Sequence, residues 1–504
     1  MTWGDLQKAL VERGVIRPGH APDVNRPSAA VTGIAYDSRA AEPGQVFVAL
    51  KGLHADGVSF VRQAVDRGAI GVVSERPAPP EVGVWWLQVE DARLALAALA
   101  AAFYRHPSDE MMVVGITGTN GKTTTAHLIA SIFEAAGIRC GVLGTVANRI
   151  GDQVRETTKT TPEAPEVQKL LREMVDCGCG ACAMEVSSHA LSLRRADTTR
   201  FSAAVFTNLT RDHLDFHADM EAYFQAKRRL FEMLPPEAPS LINADDPRGA
   251  ALVETSARPV TYAINRPADI TPGPLSFSLD GLTFDVRTPR GTLHVQSKLV
   301  GRPNVYNILA AIATAVALGL PLAAVERGLR ALDGVRGRFE LVSGPDDGVT
   351  VVVDYAHTDD ALRNLLETAR GLARGRVITV FGCGGDRDRA KRPLMGAVAD
   401  RLSDLIVITS DNPRGEDPER IIEEIQLGIT PDTRRDSAQR LLSIADRRAA
   451  IGKAIEVARP GDLVLVAGKG HEKYQVIGDE LVPFDDAAVA REALARRRTN
   501  SGVV

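Results

Sequence analysis

Between Val113 and Thr125 the chain reads Val-Val-Gly-Ile-Thr-Gly-Thr-Asn-Gly-Lys-Thr-Thr-Thr, an apolar run that breaks into a glycine-rich turn ending in Gly121-Lys122-Thr123. Those residue types in that order suit a polyphosphate. A loop between a buried strand and a helix predicted over Thr124 to Ala136 aims backbone N–H groups and the positive end of the helix at anionic oxygens. Lys122 is placed to meet the β- and γ-phosphates, and the Thr123 hydroxyl suits Mg²⁺. The glycine spacing is not the usual one, because Ile116 stands five residues before Gly121 and the nearest glycines are Gly115 and Gly118. The Lys-Thr pair at the helix start separates this reading from a turn that only packs a helix on a sheet.

Two polar segments follow apolar strands: Glu185-Val-Ser-Ser-His189 after Ala181 to Glu185, and Thr207-Asn-Leu-Thr-Arg-Asp-His213-Leu-Asp-Phe-His217 after Ala203 to Thr207. Both fall where a parallel sheet presents its carboxyl edge, and a carboxylate with an imidazole there suits a hard metal ion beside the phosphate loop. Farther on, strands predicted at Val349 to Asp354, Val377 to Phe381, Leu405 to Thr409 and Leu463 to Ala467 each run into a polar loop. These loops are Asp354-Tyr-Ala-His357, Gly382-Cys-Gly-Gly-Asp-Arg387, Asp411-Asn-Pro-Arg414 and Gly468-Lys-Gly-His-Glu472. In an open α/β sheet, ligands bind beyond such strand ends.

The elements that must hold these loops divide the chain into three α/β units. In the first, a helix is predicted over Leu6 to Arg13, strands at Thr32 to Tyr36, Val46 to Leu50 and Ile70 to Ser74, and a helix over Val58 to Arg67. The second alternates helices with apolar strands, changes to antiparallel strands between about Gly273 and Val300 with a Pro-Arg-Gly turn, and closes on a helix from Tyr306 to Leu318. Leu332-Asp-Gly-Val-Arg-Gly-Arg-Phe-Glu340 reads as the hinge into the third. The expected boundaries are residues 1–109, 110–336 and 337–504.

A chain of 504 residues with 44% hydrophobic content supports about three such cores. A formal net charge of −4 gives no global basic field, which argues against nucleic acid as the main partner. The N-terminus lacks a signal-peptide core and the longest apolar run, Leu94 to Tyr104, is too short for a bilayer. No membrane insertion, a cytoplasmic location and a monomer are expected. Five cysteines make no disulfide framework. Cys177, Cys179 and Cys182 crowd together without a fourth ligand at metal spacing, so they read as small core and loop residues.

The ordered motifs resemble the Mur ligases, ATP-dependent enzymes that form amide bonds in peptidoglycan precursors. They are Gly118-Thr-Asn-Gly-Lys-Thr123, Glu185-Val-Ser-Ser-His189, Thr207 to His213, Asn243-Ala-Asp-Asp246, Asn304-Val-Tyr-Asn307, Gly337-Arg-Phe-Glu340 and Asp354-Tyr-Ala-His357. The resemblance implies a central P-loop ATPase sheet, an N-terminal α/β domain that holds UDP and a C-terminal Rossmann-like domain that holds an amino acid. Asp37-Ser-Arg39, Thr160-Thr161, Asp411-Asn-Pro-Arg414 and Gly468 to Glu472 resemble the branch that adds meso-diaminopimelate to UDP-N-acetylmuramoyl-L-Ala-D-Glu. Lysine-adding and folate-extending relatives, and a regulatory P-loop ATPase, remain as alternatives.

By that resemblance ATP and Mg²⁺ are the cofactors. Gly118, Thr119, Asn120, Gly121, Lys122, Thr123, Thr124, Asn304, Asn307, Arg338, Asp354 and His357 would bind ATP, with Lys122, Lys227, His213 and Arg338 catalytic. Thr123, Glu185, His213 and a carbamylated Lys227 would stand on the metal side. Tyr36, Ser38, Leu53, His54, Ala55, Thr160, Thr161, Ser187 and Arg195 would bind the UDP-muramoyl dipeptide. Arg387, Asp411, Asn412, Pro413, Arg414, Gly468 and Glu472 would bind diaminopimelate, with Arg414 gripping its extra carboxylate. Leu193, Pro303 and Asp359 depart from the residues often found at those positions.

Overall fold

The computed structural model describes residues 1–17, 28–52, 55–79 and 83–501. The sequence separates into α/β layers wherever β-branched runs are bounded by glycine, proline or aspartate. The first sheet has four parallel strands in the order Gly33–Ala35, Gln45–Ala49, Gly71–Ser74 and Trp85–Gln88. Helices Trp3–Glu12 and Ala92–Phe103 contribute Trp3, Leu6, Leu10, Leu96 and Leu99 to its core. The alanine-rich run from Leu94 is thus a buried helix packed on this sheet, capped by Asp91 on Leu94 N. The helix expected over Val58 to Arg67 is divided: Asp56 caps a tight turn, Gly57–Phe60, and the α-helix proper is Val61–Asp66.

The central sheet runs Pro259–Tyr262, Ser240–Asn243, Ala203–Phe206, Met112–Thr117, Ala181–Glu185 and Cys140–Leu143, all parallel. The antiparallel strands Asn148–Ile150 and Gln153–Arg155 extend one edge. From Met112–Thr117 the chain crosses to Cys140–Leu143 on one side, and later to Ala203–Phe206 on the other. That strand is therefore the switch point, where an α/β sheet opens a crevice. Helices Lys122–Ala135, Arg302–Ala317 and Leu322–Ala331 share one core, while Ala164–Asp176 and Met220–Glu232 pack on the opposite face. The helix expected from Tyr306 begins earlier, because Pro303 fits its first turn.

The antiparallel flank consists of Thr271–Pro272, Ser276–Ser278, Gly281–Thr288 and Gly291–Ser297. Burial alternates along Gly281–Thr288, as expected for a sheet covered on one face.

The last large sheet runs Glu340–Leu341, Thr350–Asp354, Leu463–Ala467, Val377–Phe381, Leu405–Ile408 and Leu441–Ser443, parallel except for its first strand. Asp359–Leu372, Lys391–Leu402 and Pro418–Gln426 cover one face, Arg447–Val457 and Asp486–Ser501 the other. All five cysteines are free; Cys140, Cys179, Cys182 and Cys383 are buried. No group of three or more His, Cys, Asp and Glu side chains able to hold a metal ion occurs among the described residues. No described helix is long and apolar enough to cross a membrane.

Candidate active site

Strand Met112–Thr117 passes through Gly118 to Gly121 into helix Lys122–Ala135. Gly118 has φ +144° and Gly121 φ +87°. A Cβ on Gly118 would overlap Thr207 Oγ1, and one on Gly121 would overlap Asn307 Oδ1, so neighbouring segments press on the turn from both sides. Asn120 N donates to Asn208 Oδ1 at 2.9 Å and Thr207 Oγ1 donates to Asn120 O at 2.7 Å, which ties the loop to the next strand end. Thr119 bonds Thr210 O, and Thr124 is buried in the first helical turn. Asn304 and Asn307 form a buried pair, with Asn307 Oδ1 also accepting from Thr125 Oγ1 at 3.3 Å.

Two amines meet on one carbonyl. Lys122 Nζ donates to Gly118 O at 3.0 Å and Thr119 O at 2.8 Å, and Lys227 Nζ donates to Gly118 O at 2.7 Å. Lys227 is buried against Tyr223, its Nζ 4.4 Å from the ring centre. Burial, reinforced by the Lys122 charge, pushes the Lys227 pKa well below the ordinary lysine value. The Lys122 pKa is also lowered, again mainly by burial. Burial therefore shifts Lys227 toward its uncharged amine form.

Beside them Glu185 ends its strand buried. Its Oε2 accepts from Thr123 Oγ1 at 3.1 Å and Thr145 Oγ1 at 2.9 Å, and its Oε1 from Thr145 N at 2.8 Å. His213 has φ +54°, and burial pushes its pKa down to about 3, so the imidazole is neutral. Its ring meets His189 edge-on at 4.8 Å. The donor set fits Mg²⁺, which takes one or two carboxylates and leaves the rest of its shell to water and phosphate.

Thr160, Thr161, Ser187 and Arg195 line up next to Glu185. Thr161 Oγ1 donates to Glu185 O at 2.9 Å and accepts from Ser187 N at 3.1 Å, while Arg195 reaches Thr161 O at 3.2 Å and Glu163 at 2.8 Å. Thr160 Oγ1 lies 3.0 Å from Thr145 Oγ1. Leu193 closes the short helix Ser188–Ser192 and offers no polar group. From the first sheet, Tyr36 Oη donates to Glu166 Oε1 at 2.9 Å and Ser38 Oγ to Gln63 Oε1 at 2.6 Å. Ala55 is exposed and pairs through its carbonyl with Gly52 N. Leu53 and His54 lie outside the described residues.

The hinge brings the third layer over this edge. Arg338 stacks on Tyr355 with its guanidinium carbon 4.5 Å from the ring centre, and its Nη2 donates to Thr123 Oγ1 at 3.2 Å. Asp354 turns its carboxylate inward, accepting from Phe339 N at 2.6 Å and Ala356 N at 2.8 Å. It shapes the hinge in this arrangement. His357 lies 3.9 Å from Asp212, which also faces His213 at 3.3 Å. Arg211 pairs with Asp388 at 2.9 Å, and Asn120 Nδ2 with Asp360 at 3.2 Å. Sequence reasoning missed the cross-hinge roles of Asp212, Asp360 and Asp388, which face His357, Asn120 and Arg211.

The third sheet gathers the remaining loops. Arg414 has φ +52° and is held by a hairpin, Tyr474–Ile477 with Glu480–Pro483: its N donates to Val476 O and its O accepts from Gly478 N. Its Nη1 donates to Gly385 O at 2.8 Å. Burial, then the charge of Arg387, lowers the Arg414 pKa. Arg387 itself donates only to Asp386 O, so neither guanidinium has a carboxylate partner among the described residues. Pro413 continues the turn, its carbonyl against Gly385. Asp411 Oδ2 is buried without a hydrogen-bond partner, and a Cβ on Gly468 would come 2.5 Å from it.

Buried cations fix these loops. Arg392 joins Glu416, Glu424 and Gly384 O; Arg447 pairs with Asp486 at 2.7 Å and holds Ala467 O at 3.0 Å.

Family models match in chain order: Mur ligase family, catalytic domain, over residues 30–104; Mur ligase middle domain over 116–315; Mur ligase, glutamate ligase domain over 337–470. A UDP-N-acetylmuramoyl-L-alanyl-D-glutamate–2,6-diaminopimelate ligase of Geobacter metallireducens is 48% identical over 483 residues, covering 92% of this chain and 94% of that one. The chain belongs to the Mur ligase family. A relative of the same name from Gloeobacter violaceus is 47% identical over 480 residues, covering 94% and 96%. A solved structure of a ligase of that name superposes with a TM-score of 0.67 at 35% identity, covering 95% of this chain and 97% of that one. The family's amide-forming ATPase fold accounts for a phosphate loop, an acidic metal side and a third sheet converging at one edge.

Proposed function

We propose that the chain joins an amine of meso-diaminopimelate to the D-Glu carboxylate of UDP-N-acetylmuramoyl-L-Ala-D-Glu, converting ATP to ADP and phosphate, as a cytoplasmic monomer. Residues 1–109 hold the UDP end through Tyr36, Ser38 and the 53–55 segment. Residues 110–336 hold ATP and the muramoyl dipeptide, and residues 337–504 hold the amino acid. The observation that carries the choice of amino acid is the Arg387–Arg414 pair. Two guanidinium groups bonded only to carbonyls, with the charge of Arg387 bearing on Arg414, suit a carboxylate that lysine lacks.

The D-Glu carboxylate attacks the γ-phosphorus of ATP, ADP leaves, and an acyl phosphate forms. The neutral substrate amine adds to its carbonyl carbon, the amine proton is lost, and phosphate departs as the amide is made. Every participant except the amine is anionic, so the protein's task is to crowd anions and neutralise charge. Lys122 leaves its loop carbonyls to meet phosphate oxygens. Arg338, already at Thr123 from across the hinge, adds charge as the third layer closes. Thr160, Thr161, Ser187 and Arg195 orient the dipeptide. Bound Mg²⁺, held by Thr123, Glu185 and the His213 side, supplies further charge neutralisation. Lys227, shifted by burial toward its uncharged amine, is suited to add to CO₂ with release of a proton, and the resulting carbamate presents anionic oxygens where the amine stood.

The test is the mass of the product formed from UDP-muramoyl dipeptide, ATP and diaminopimelate, with lysine in a parallel reaction. A product heavier by one diaminopimelate residue, with little or no lysine product, is expected. Equal use of lysine overturns the choice of amino acid.

A further inference from the structure

We infer that Lys469 is a positioning residue of the amino-acid pocket, fixing Asn412 and Glu472 so that one Glu472 oxygen stays open to an incoming ammonium. The inference rests on the third sheet holding diaminopimelate. Lys469 lies just beyond strand Leu463–Ala467 and is fully buried. Its Nζ donates to Asn412 Oδ1 at 2.8 Å and to Glu472 Oε2 at 2.9 Å. Val476 N also donates to Asn412 Oδ1, at 3.0 Å, so two donors converge on that oxygen. The amide must then turn its Nδ2 toward Glu472, and Nδ2 donates to Glu472 Oε2 at 3.0 Å.

Both bonds reach the same carboxylate oxygen. Among the described residues Glu472 Oε1 takes no hydrogen bond, and the side chain is 21% exposed. An ammonium approaching from the pocket therefore meets an oxygen already aimed, with no protein donor to displace. Without the Lys469 amine, Oδ1 keeps one donor, the amide loses its fixed sense, and Glu472 is free to rotate away. A buried lysine that only filled space would need neither partner on a substrate loop. This one bridges two loops expected to touch the amino acid.

The test uses the full chain with Lys469→Met and Lys469→Gln, measuring kcat and KM separately for diaminopimelate, ATP and the muramoyl dipeptide. Lys469→Met should raise KM for diaminopimelate by about tenfold or more, the loss expected of a charge-assisted hydrogen bond, and change the other two KM values by less than about twofold. Lys469→Gln retains an N–H donor and should recover part of that loss. On a Glu472→Gln background Lys469→Met should add little, because the two act as a unit. An unchanged diaminopimelate KM in a folded variant, three KM values rising together, or full additivity overturns the inference. If Lys469→Met does not fold, Lys469→Gln carries the same comparison. Absence of any diaminopimelate product from the unsubstituted enzyme would instead overturn the functional reading beneath it.

Discussion

Replacing Gly118 by alanine should disable the phosphate loop without unfolding the protein. The backbone there has φ +144°, a region that residues with a Cβ rarely adopt, which costs about 1 to 3 kcal/mol. The new Cβ would also overlap Thr207 Oγ1 and lie 3.0 Å from both N and O of Asn208. Thr207 is itself held by its bond to Asn120 O, so the loop must yield, and overpacking of this kind costs about 1 to 3 kcal/mol more. Relief requires a shift on the order of 1 Å, and a misplacement of that size costs roughly a hundredfold in rate. Gly118 O also receives both Lys122 and Lys227, so the shift moves two amines together. Gly137→Ala is the matched control: φ is +80° but nothing lies within 4 Å of its Cβ, leaving backbone strain alone. The assay is diaminopimelate-dependent ADP release, read as kcat/KM for ATP, with thermal unfolding in parallel. Gly118→Ala should lose about a hundredfold or more and Gly137→Ala almost nothing. A Gly118→Ala enzyme within about tenfold of the unsubstituted one, a loss under roughly 1.4 kcal/mol, refutes the steric argument.

Lys227→Met should be nearly inactive yet more stable. A base whose folded pKa is lowered costs stability increasingly as pH falls below its unfolded value, about 10.4, and costs nothing above it. In CO₂-depleted buffer the Tm advantage of the methionine variant should thus be larger at about pH 7 than above pH 10; equal advantages at both pH values contradict a buried neutral amine. Arg414→Ala should narrow the preference for diaminopimelate over lysine. Its guanidinium already satisfies carbonyls of Gly385 and Asn412, so the unpaired remainder is worth about 2 kcal/mol, or roughly thirtyfold. An unchanged kcat/KM ratio for the two amino acids removes Arg414 as the selector.

The strands that carry the site were legible because each is a short apolar run leading into a polar or glycine-rich loop, as at Ala181–Glu185, Val377–Phe381 and Leu463–Ala467, whose predicted and observed bounds coincide. The hairpins Asn148–Arg155 and Tyr474–Pro483 were not legible. Their strands are short and mostly exposed, so burial imprints no alternation on Gln153–Arg155 or Glu480–Pro483. Yet one of them braces Arg414. Lys227 lies in the basic run Lys227-Arg-Arg229, yet Tyr223, Phe224, Leu230 and Phe231 lie three and four residues to either side and are all buried. That spacing marks the apolar face of the helix, and Lys227 is on it. Arg392, Arg447 and Lys469 offered no comparable signal, because each is held by a group on another segment: Glu416 for Arg392, Asp486 for Arg447 and Asn412 for Lys469. A motif can identify residues that meet a ligand, since the ligand constrains their type and order. Residues that aim those groups are constrained by partners distant in sequence, so their roles emerge only when the strand ends are brought together.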